Sequence, residues 1–209
     1  SIASETGLGA NELENMQVSS ETYSGISGVT NVYFQQTIHD IPVHGAILNA
    51  HVTSSDALLT YGNRFVDMNN GGPNPESPVL TPTQGLSAVL AGLGIPEIGP
   101  LVQISSENNP IRTTIFDKGL VSLADISMQL IYQPVESSKS GVRLCWQAEI
   151  QTTDGRDWWV ARVDARTGEL LDRNNYVVHC DFGVADPGAC HHKHGPASPH
   201  KTFLDLGPN

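Results

Sequence analysis

From Val29 to Thr37 the chain reads Val-Thr-Asn-Val-Tyr-Phe-Gln-Gln-Thr, a run rich in residues that favour extended backbone. From Val43 to Val52 apolar and polar positions alternate. Ala46, Leu48, Ala50 and Val52 fall on one face, and Ile47, Asn49 and His51 on the other, the period of a half-buried strand. Between the two, His39-Asp40-Ile41-Pro42 breaks the pattern. Pro42 has no amide donor and biases Ile41 toward extended backbone. Thr53-Ser54-Ser55-Asp56 is a turn cluster, and a third strand is expected over Ala57–Val66. Residues 20–66 therefore read as a β-meander. Two glutamines, Gln35 and Gln36, stand side by side in the first strand. One of them must face inward if that strand has a core side, and a buried amide needs hydrogen-bond partners. Either they bond locally or they belong to a face that meets a partner. The pattern leaves both open.

Upstream, Ile2, Leu8, Leu13 and Met16 suggest the end of a helix over 1–18, interrupted by Gly7 and Gly9. Downstream, residues 67–82 are rich in Asn, Gly and Pro and read as a linker. A helix is then expected. Thr81 can cap it, Pro82 suits its first position, and Leu86, Val89, Leu90 and Leu93 recur at helical spacing before Gly92, Gly94 and Pro96 stop it. Ala124, Ile126, Met128, Leu130 and Tyr132 alternate, as do Val142, Leu144, Trp146, Ala148 and Ile150. Thr153-Asp154-Gly155 signals a hairpin turn, Trp158–Val163 the returning strand, Asp164–Glu169 another turn, and Leu170-Leu171 a last strand. One helix followed by an antiparallel sheet predicts an α+β fold.

Gly28–Gln36, Ile41-Pro42-Val43, the Ala46–Val52 strand and Tyr61-Gly62-Asn63 follow one another in an order and spacing that resemble the fungalysin/thermolysin propeptide motif. One departure is Asp56-Ala57, where that family usually has glycine, which predicts a wider turn. Arg143–Ile150 and Trp158–Leu171, with Val163-Asp164-Ala165-Arg166-Thr167-Gly168-Glu169, resemble the PepSY-type module that follows the motif in fungalysin propeptides. The resemblance implies two cystatin-like modules, each an antiparallel sheet packed on a helix. They would occupy 1–68, with an incomplete N-terminal helix, and 81–178, joined by a linker at 69–80. Residues 179–209 would lead to an absent catalytic domain. It further implies a pro-domain that acts as intramolecular chaperone and inhibitor of an attached secreted zinc metalloendopeptidase and is removed by proteolysis. The implied partner is that catalytic domain, which would hold zinc, while this chain would hold no cofactor. The implied location is secreted or extracytoplasmic. Gln35, Gln36, His39 and His44 are the residues expected to face the partner.

Composition narrows the choice further. The 209 residues suffice for one or two domains with a real core. A formal charge of −11 argues against nucleic acid, whose phosphates need a basic surface. No apolar run reaches membrane-spanning length. Ser1–Glu5 has neither the basic start nor the apolar core of a signal peptide, so the chain reads as a processed piece of a longer precursor. His-Glu-x-x-His, Gly-x-Ser-x-Gly and phosphate-loop patterns are all missing from the sequence, so no catalytic residues are expected.

The tail adds a Cys/His-rich stretch. In an exported protein Cys180 and Cys190 are disulfide candidates in a turn-rich loop, and Cys145 is then the odd thiol. The other reading is metal, through Cys190, His191, His192 and His194, although adjacent ligands cannot all meet one ion without strain. Eight histidines, fully protonated, would bring the charge of −11 to −3. If His39, His44 and His51 face the partner, acid would weaken the complex. Three classes remain: a protease pro-domain, a free-standing inhibitor or binding module of the same fold, and a metal-binding protein using its histidine tail.

Overall fold

Two residues turn the first predicted strand back on itself. Ile38 pairs with Ile41, so only His39 and Asp40 form the connection, with φ of 50° and 62°. Positive φ at both central residues suits a two-residue hairpin, because it matches the strands' own twist, and Asp tolerates it. The flanking strands are β2 (Val29–Ile38) and β3 (Ile41–Thr53). This computed structural model describes residues 8–67, 77–135 and 141–177, all within one compact unit. A short helix α1 (Ala10–Glu14) and β1 (Met16–Ser24) precede the hairpin, and β4 (Leu58–Asn63) follows it. The helix expected up to residue 18 is therefore shorter. Met16 already opens a strand, because Val18, Thr22 and Tyr23 favour extended backbone and β1 pairs with β2 from Val29 to Gln36. At the β3–β4 turn, Asp56 takes a φ of 61°, and the Thr53 amide donates to Ala57 O at 2.9 Å to close the turn.

The second half begins with α2 (Pro82–Leu93), and its ends follow the local signals. Thr81 Oγ1 accepts the Gln84 amide at 3.3 Å, and Gln84 Oε1 accepts the Thr81 amide at 2.9 Å. This reciprocal cap satisfies two otherwise orphaned donors. Gly94, at φ 71°, ends the helix and donates back to Ala91. After α2 come β5 (Gln103–Ser106), β6 (Thr114–Phe116), β7 (Ile126–Pro134), β8 (Val142–Gln151), β9 (Trp158–Asp164) and β10 (Leu170–Asn175). The pair β5–β6 had no counterpart in the pattern: β5 is exposed at all four residues and β6 has only three.

The strands join in the order β1-β2-β3-β7-β8-β9-β10, with β4 beside β3 and β5–β6 beside β7. The molecule is mostly sheet with few helices, an α+β arrangement. β3 serves both halves. Its later part pairs with β2 and β4, and its start runs parallel to β7 at Val43↔Tyr132. The described residues form two apolar clusters. The larger sets Leu86, Val89 and Leu90 of α2 against Met128, Leu130, Leu144, Trp146, Ala148 and Val163, and takes in Ile38, Ile41, Val43 and Ala46 from the hairpin. Burying each such aliphatic contributes about 1.5–3 kcal/mol. The smaller joins Leu8, Phe34, Leu48 and Ala50, with Leu13 and Met16 beside them.

Candidate functional site

The two glutamines bond inside the chain. Gln36 is 1% exposed. Its amide nitrogen donates to Val66 O at 2.9 Å, and its carbonyl accepts Val66 N at 2.8 Å. One side chain thus stands in for a strand partner just beyond the end of β4. The half-buried Gln35 turns its amide nitrogen toward three carbonyls, Val43 at 2.7 Å, Gln36 at 3.0 Å and Ala46 at 3.1 Å. It sits where the β2–β3 register shifts between Gln35 and Thr37, and its amide bridges backbone carbonyls of both strands across that irregularity. His39 lies exposed at the hairpin tip. His44 is half-buried, and burial first, then the Arg162 charge, lowers its pKa against a smaller opposing effect of Asp172. On the outer face of β2 and β3, His51 lies between Asn31 Oδ1 at 2.6 Å and Asn49 Nδ2 at 3.2 Å.

His44 borders a polar network on the face of β8–β10 turned away from α2. Arg162, 2% exposed, donates to Gln147 Oε1 at 2.8 Å, Asp172 Oδ2 at 2.6 Å and Asn174 Oδ1 at 3.1 Å. Its neighbour Asp164 anchors the Val163–Glu169 segment. Oδ1 accepts the amides of Arg166 and Thr167 at 2.8 and 2.7 Å, and Oδ2 meets Arg143 at 2.7 Å. Burial alone would raise the Asp164 pKa, but these donors hold it below the usual carboxylate range. Cys145, opposite Asp164 in the ladder, is buried. Burial, then the Asp164 charge, pushes its pKa up to about 12, so its thiol stays protonated and unreactive.

A third region lies at the other end of the same strands. The C-terminus of α2, the β8–β9 hairpin and the loop before β7 enclose a cleft of about 270 Å³. Ile95, Pro96, Ile98 and Leu120 supply its apolar wall, and Asp154 and Asp157 its acidic rim. The hydrophobic pattern carries no mark of it, because Ile98 and Leu120 lie outside every periodic segment. Among the described residues, no three His, Cys, Asp or Glu side chains are placed to hold a metal ion, and no helix is long and apolar enough to cross a membrane. The expected Cys180–Cys190 disulfide, the ligand candidates Cys190, His191, His192 and His194, and most of the expected linker lie outside the described residues.

Residues 14–65, which hold β1 to β4, match the Fungalysin/Thermolysin Propeptide Motif family. The chain carries a fungalysin-type propeptide motif. Fungal relatives extend the likeness beyond this propeptide motif. Extracellular metalloproteinase 5 of Arthroderma otae is 28% identical over 169 residues, covering 78% of this chain and 25% of that protein. Extracellular metalloproteinase 1 of the same fungus is 31% identical over 179 residues, covering 79% and 26%. Extracellular metalloproteinase 10 of Uncinocarpus reesii is 29% identical over 178 residues, covering 79% and 27%. The propeptide-bearing chain thus spans about a quarter of the length of the curated relatives it matches. A solved structure, the Bacillus megaterium YpeB C-terminal domain, aligns with a TM-score of 0.36 at 7% identity over 82% of this chain and 61% of its own.

Proposed function

We propose that this chain is the pro-domain of a secreted, fungalysin-type zinc metalloendopeptidase: it assists folding of the attached catalytic domain, holds it inactive and is removed by proteolysis. The observation that carries the reading is the propeptide motif at 14–65, set in a chain that matches only about a quarter of each extracellular metalloproteinase. The physical logic is linkage. A pro-domain that binds the native catalytic domain but not its unfolded chain stabilises it by mass action. Covalent attachment raises the effective concentration, so inhibition is strong until cleavage. In this reading the chain itself is not catalytic, zinc belongs to the partner domain, and nucleic acid plays no part. In this reading the chain holds two cystatin-like modules, at 1–68 and 81–178 on either side of a linker at 69–80; the smaller apolar cluster draws on the first alone, while the larger draws on both. Among the proposed partner-facing residues, His39 is exposed and available, whereas the amides of Gln35 and Gln36 are engaged internally.

The test has two parts. Transcript sequencing should show a reading frame that continues past Asn209 into a domain with His-Glu-x-x-His. That domain, produced without its pro-part, should lose activity when the 209-residue chain is added. A protease that stays fully active with the chain in excess would overturn the proposal.

A further inference from the structure

The large apolar side chains left exposed on this molecule are not evenly spread. On the first half they are spread over all four strands, β1 to β4, and the turn residue Ile26. Scattered exposures of that kind are normal. At one end of the second half they adjoin one another. Ile98 and Leu120, 51% and 66% exposed, share the wall of the cleft described above. Exposed Leu123 is tied by its amide to Gln151 O at 2.8 Å, and Gln151 pairs with exposed Trp158. Trp158 in turn meets the ring of exposed Tyr176 edge to face, with centroids 5.9 Å apart.

The charge around the cleft has one dominant sign. The C-terminal end of α2 opens onto it with no basic residue in the last turn, so the negative end of the helix dipole faces it. Asp154 lines it, and the Thr152 hydroxyl at 2.7 Å, with the Arg156 amide at 3.1 Å, favours its charged form. Asp157 lines it too. The cation paired with Asp154, Arg156, is mostly exposed and stands 3.8 Å away, a contact weak enough to be displaced. Apolar walls with carboxylates at the rim suit a long basic side chain, whose stem is apolar and whose tip is cationic.

We propose that this end of the molecule, centred on Ile98, Leu120 and Asp154, is where the attached protease domain docks, through an apolar patch that carries lysine or arginine. The inference rests on the pro-domain reading and adds the place of contact to it. Two observations select that occupant over other proteins. The matched relatives carry about three quarters of their length outside the part this chain covers. The chain also leaves the sheet at this end: Val177 N bonds Asn175 Oδ1, and Asn175 Nδ2 bonds Asp157 Oδ1 at 2.5 Å. Apolar surface at the centre with charge at the rim is the usual anatomy of a protein interface.

The experiment titrates the protease domain of the same precursor with the full 209-residue chain and its variants, reading both inhibition and direct binding. Ile98→Asp combined with Leu120→Asp should weaken both at least ten-fold. Asp154→Lys alone should weaken them several-fold, and added salt should weaken the wild-type complex more than the Asp154→Lys complex. Ile26→Asp, at a residue 102% exposed on the far half, should change nothing. Thermal melts by circular dichroism establish that each variant is folded. If the double variant fails to fold, Asp154→Lys still decides. Variants that bind like wild type would overturn the docking site while leaving the pro-domain reading in place. A wild-type chain that does not bind the protease would overturn both.

Discussion

Gln36→Leu separates a structural amide from a partner-binding one. The side chain makes two neutral hydrogen bonds to the backbone of Val66, at 2.9 and 2.8 Å. Each such bond contributes about 1 kcal/mol net, and a buried group left without a partner costs about 1–3 kcal/mol. Val66 is only half-buried, so its freed amide and carbonyl regain some water, and the low end applies to each. The substitution is expected to cost about 2 kcal/mol, slightly offset by the more apolar leucine. For a body of this size, 1 kcal/mol shifts the melting temperature by about 2–4 °C, which gives a drop of about 4–8 °C. Gln36→Glu is the sharper companion. It keeps the acceptor for Val66 N but turns a second, negatively charged oxygen toward Val66 O. That variant should be less stable than Gln36→Leu at pH 7 and recover part of the loss near pH 4, where the carboxyl can donate. The assay is a thermal melt followed by circular dichroism, paired with inhibition of the protease domain at a temperature where each variant is folded. A Gln36→Leu melting temperature equal to wild type, with reduced inhibition, would refute the clamp and place Gln36 on the partner face.

Five further substitutions and measurements probe the rest of the scaffold. A Cβ at Gly85 would sit 2.6 Å from Trp146 Cδ1, so Gly85→Ala should lose about 1–2 kcal/mol in urea unfolding, overpacking exceeding a gain in helix propensity of up to about 1 kcal/mol. Gly92→Ala, whose Cβ would meet only Leu170 at 3.1 Å, should be close to neutral. His44 has a lowered pKa when folded, so the folded chain binds fewer protons than the unfolded one, and stability should fall as pH drops through the unfolded value of about 6.5. Melts at pH 7.5 and 5.5 should show that His44→Gln removes part of this slope. Arg162→Met leaves Asp172 without its buried partner and should cost about 2–3 kcal/mol in urea unfolding, because Asp172 retains some water, with part of the loss restored by adding Asp172→Leu. The Cys145 thiol should resist a thiol reagent at pH 8 in the folded chain and react in denaturant, a difference that rapid labelling of the native protein would contradict.

What the amino-acid pattern reveals depends on how far apart the interacting groups are. The α2 caps were legible because Thr81, Pro82 and Gln84 act on their own turn. The alternation in β7 and β8 was legible because each strand has a buried face against α2. β5 was not, since an exposed four-residue edge has no face to mark. The join of β3 to β7 was not either, because Val43 and Tyr132 are far apart in the chain and nothing local encodes a parallel pairing. The glutamines belong to the same class. Their polarity within a strand signalled a need for partners but not where those partners lie, and Gln36 finds its own at Val66, thirty residues on.

Burial also separates the two glutamines from the partner surface. A polar side chain inside a strand is expensive to bury unless the fold itself satisfies it, so Gln35 and Gln36 are explained once their carbonyl and amide partners are found. An apolar side chain held in water has no such internal explanation. Ile98 and Leu120 lie on connections, where neither strand nor helix period constrains them, and the larger core is filled without them. With the acidic rim and the chain's departure from the sheet beside them, they identify a surface that the fold does not need and a bound partner would cover.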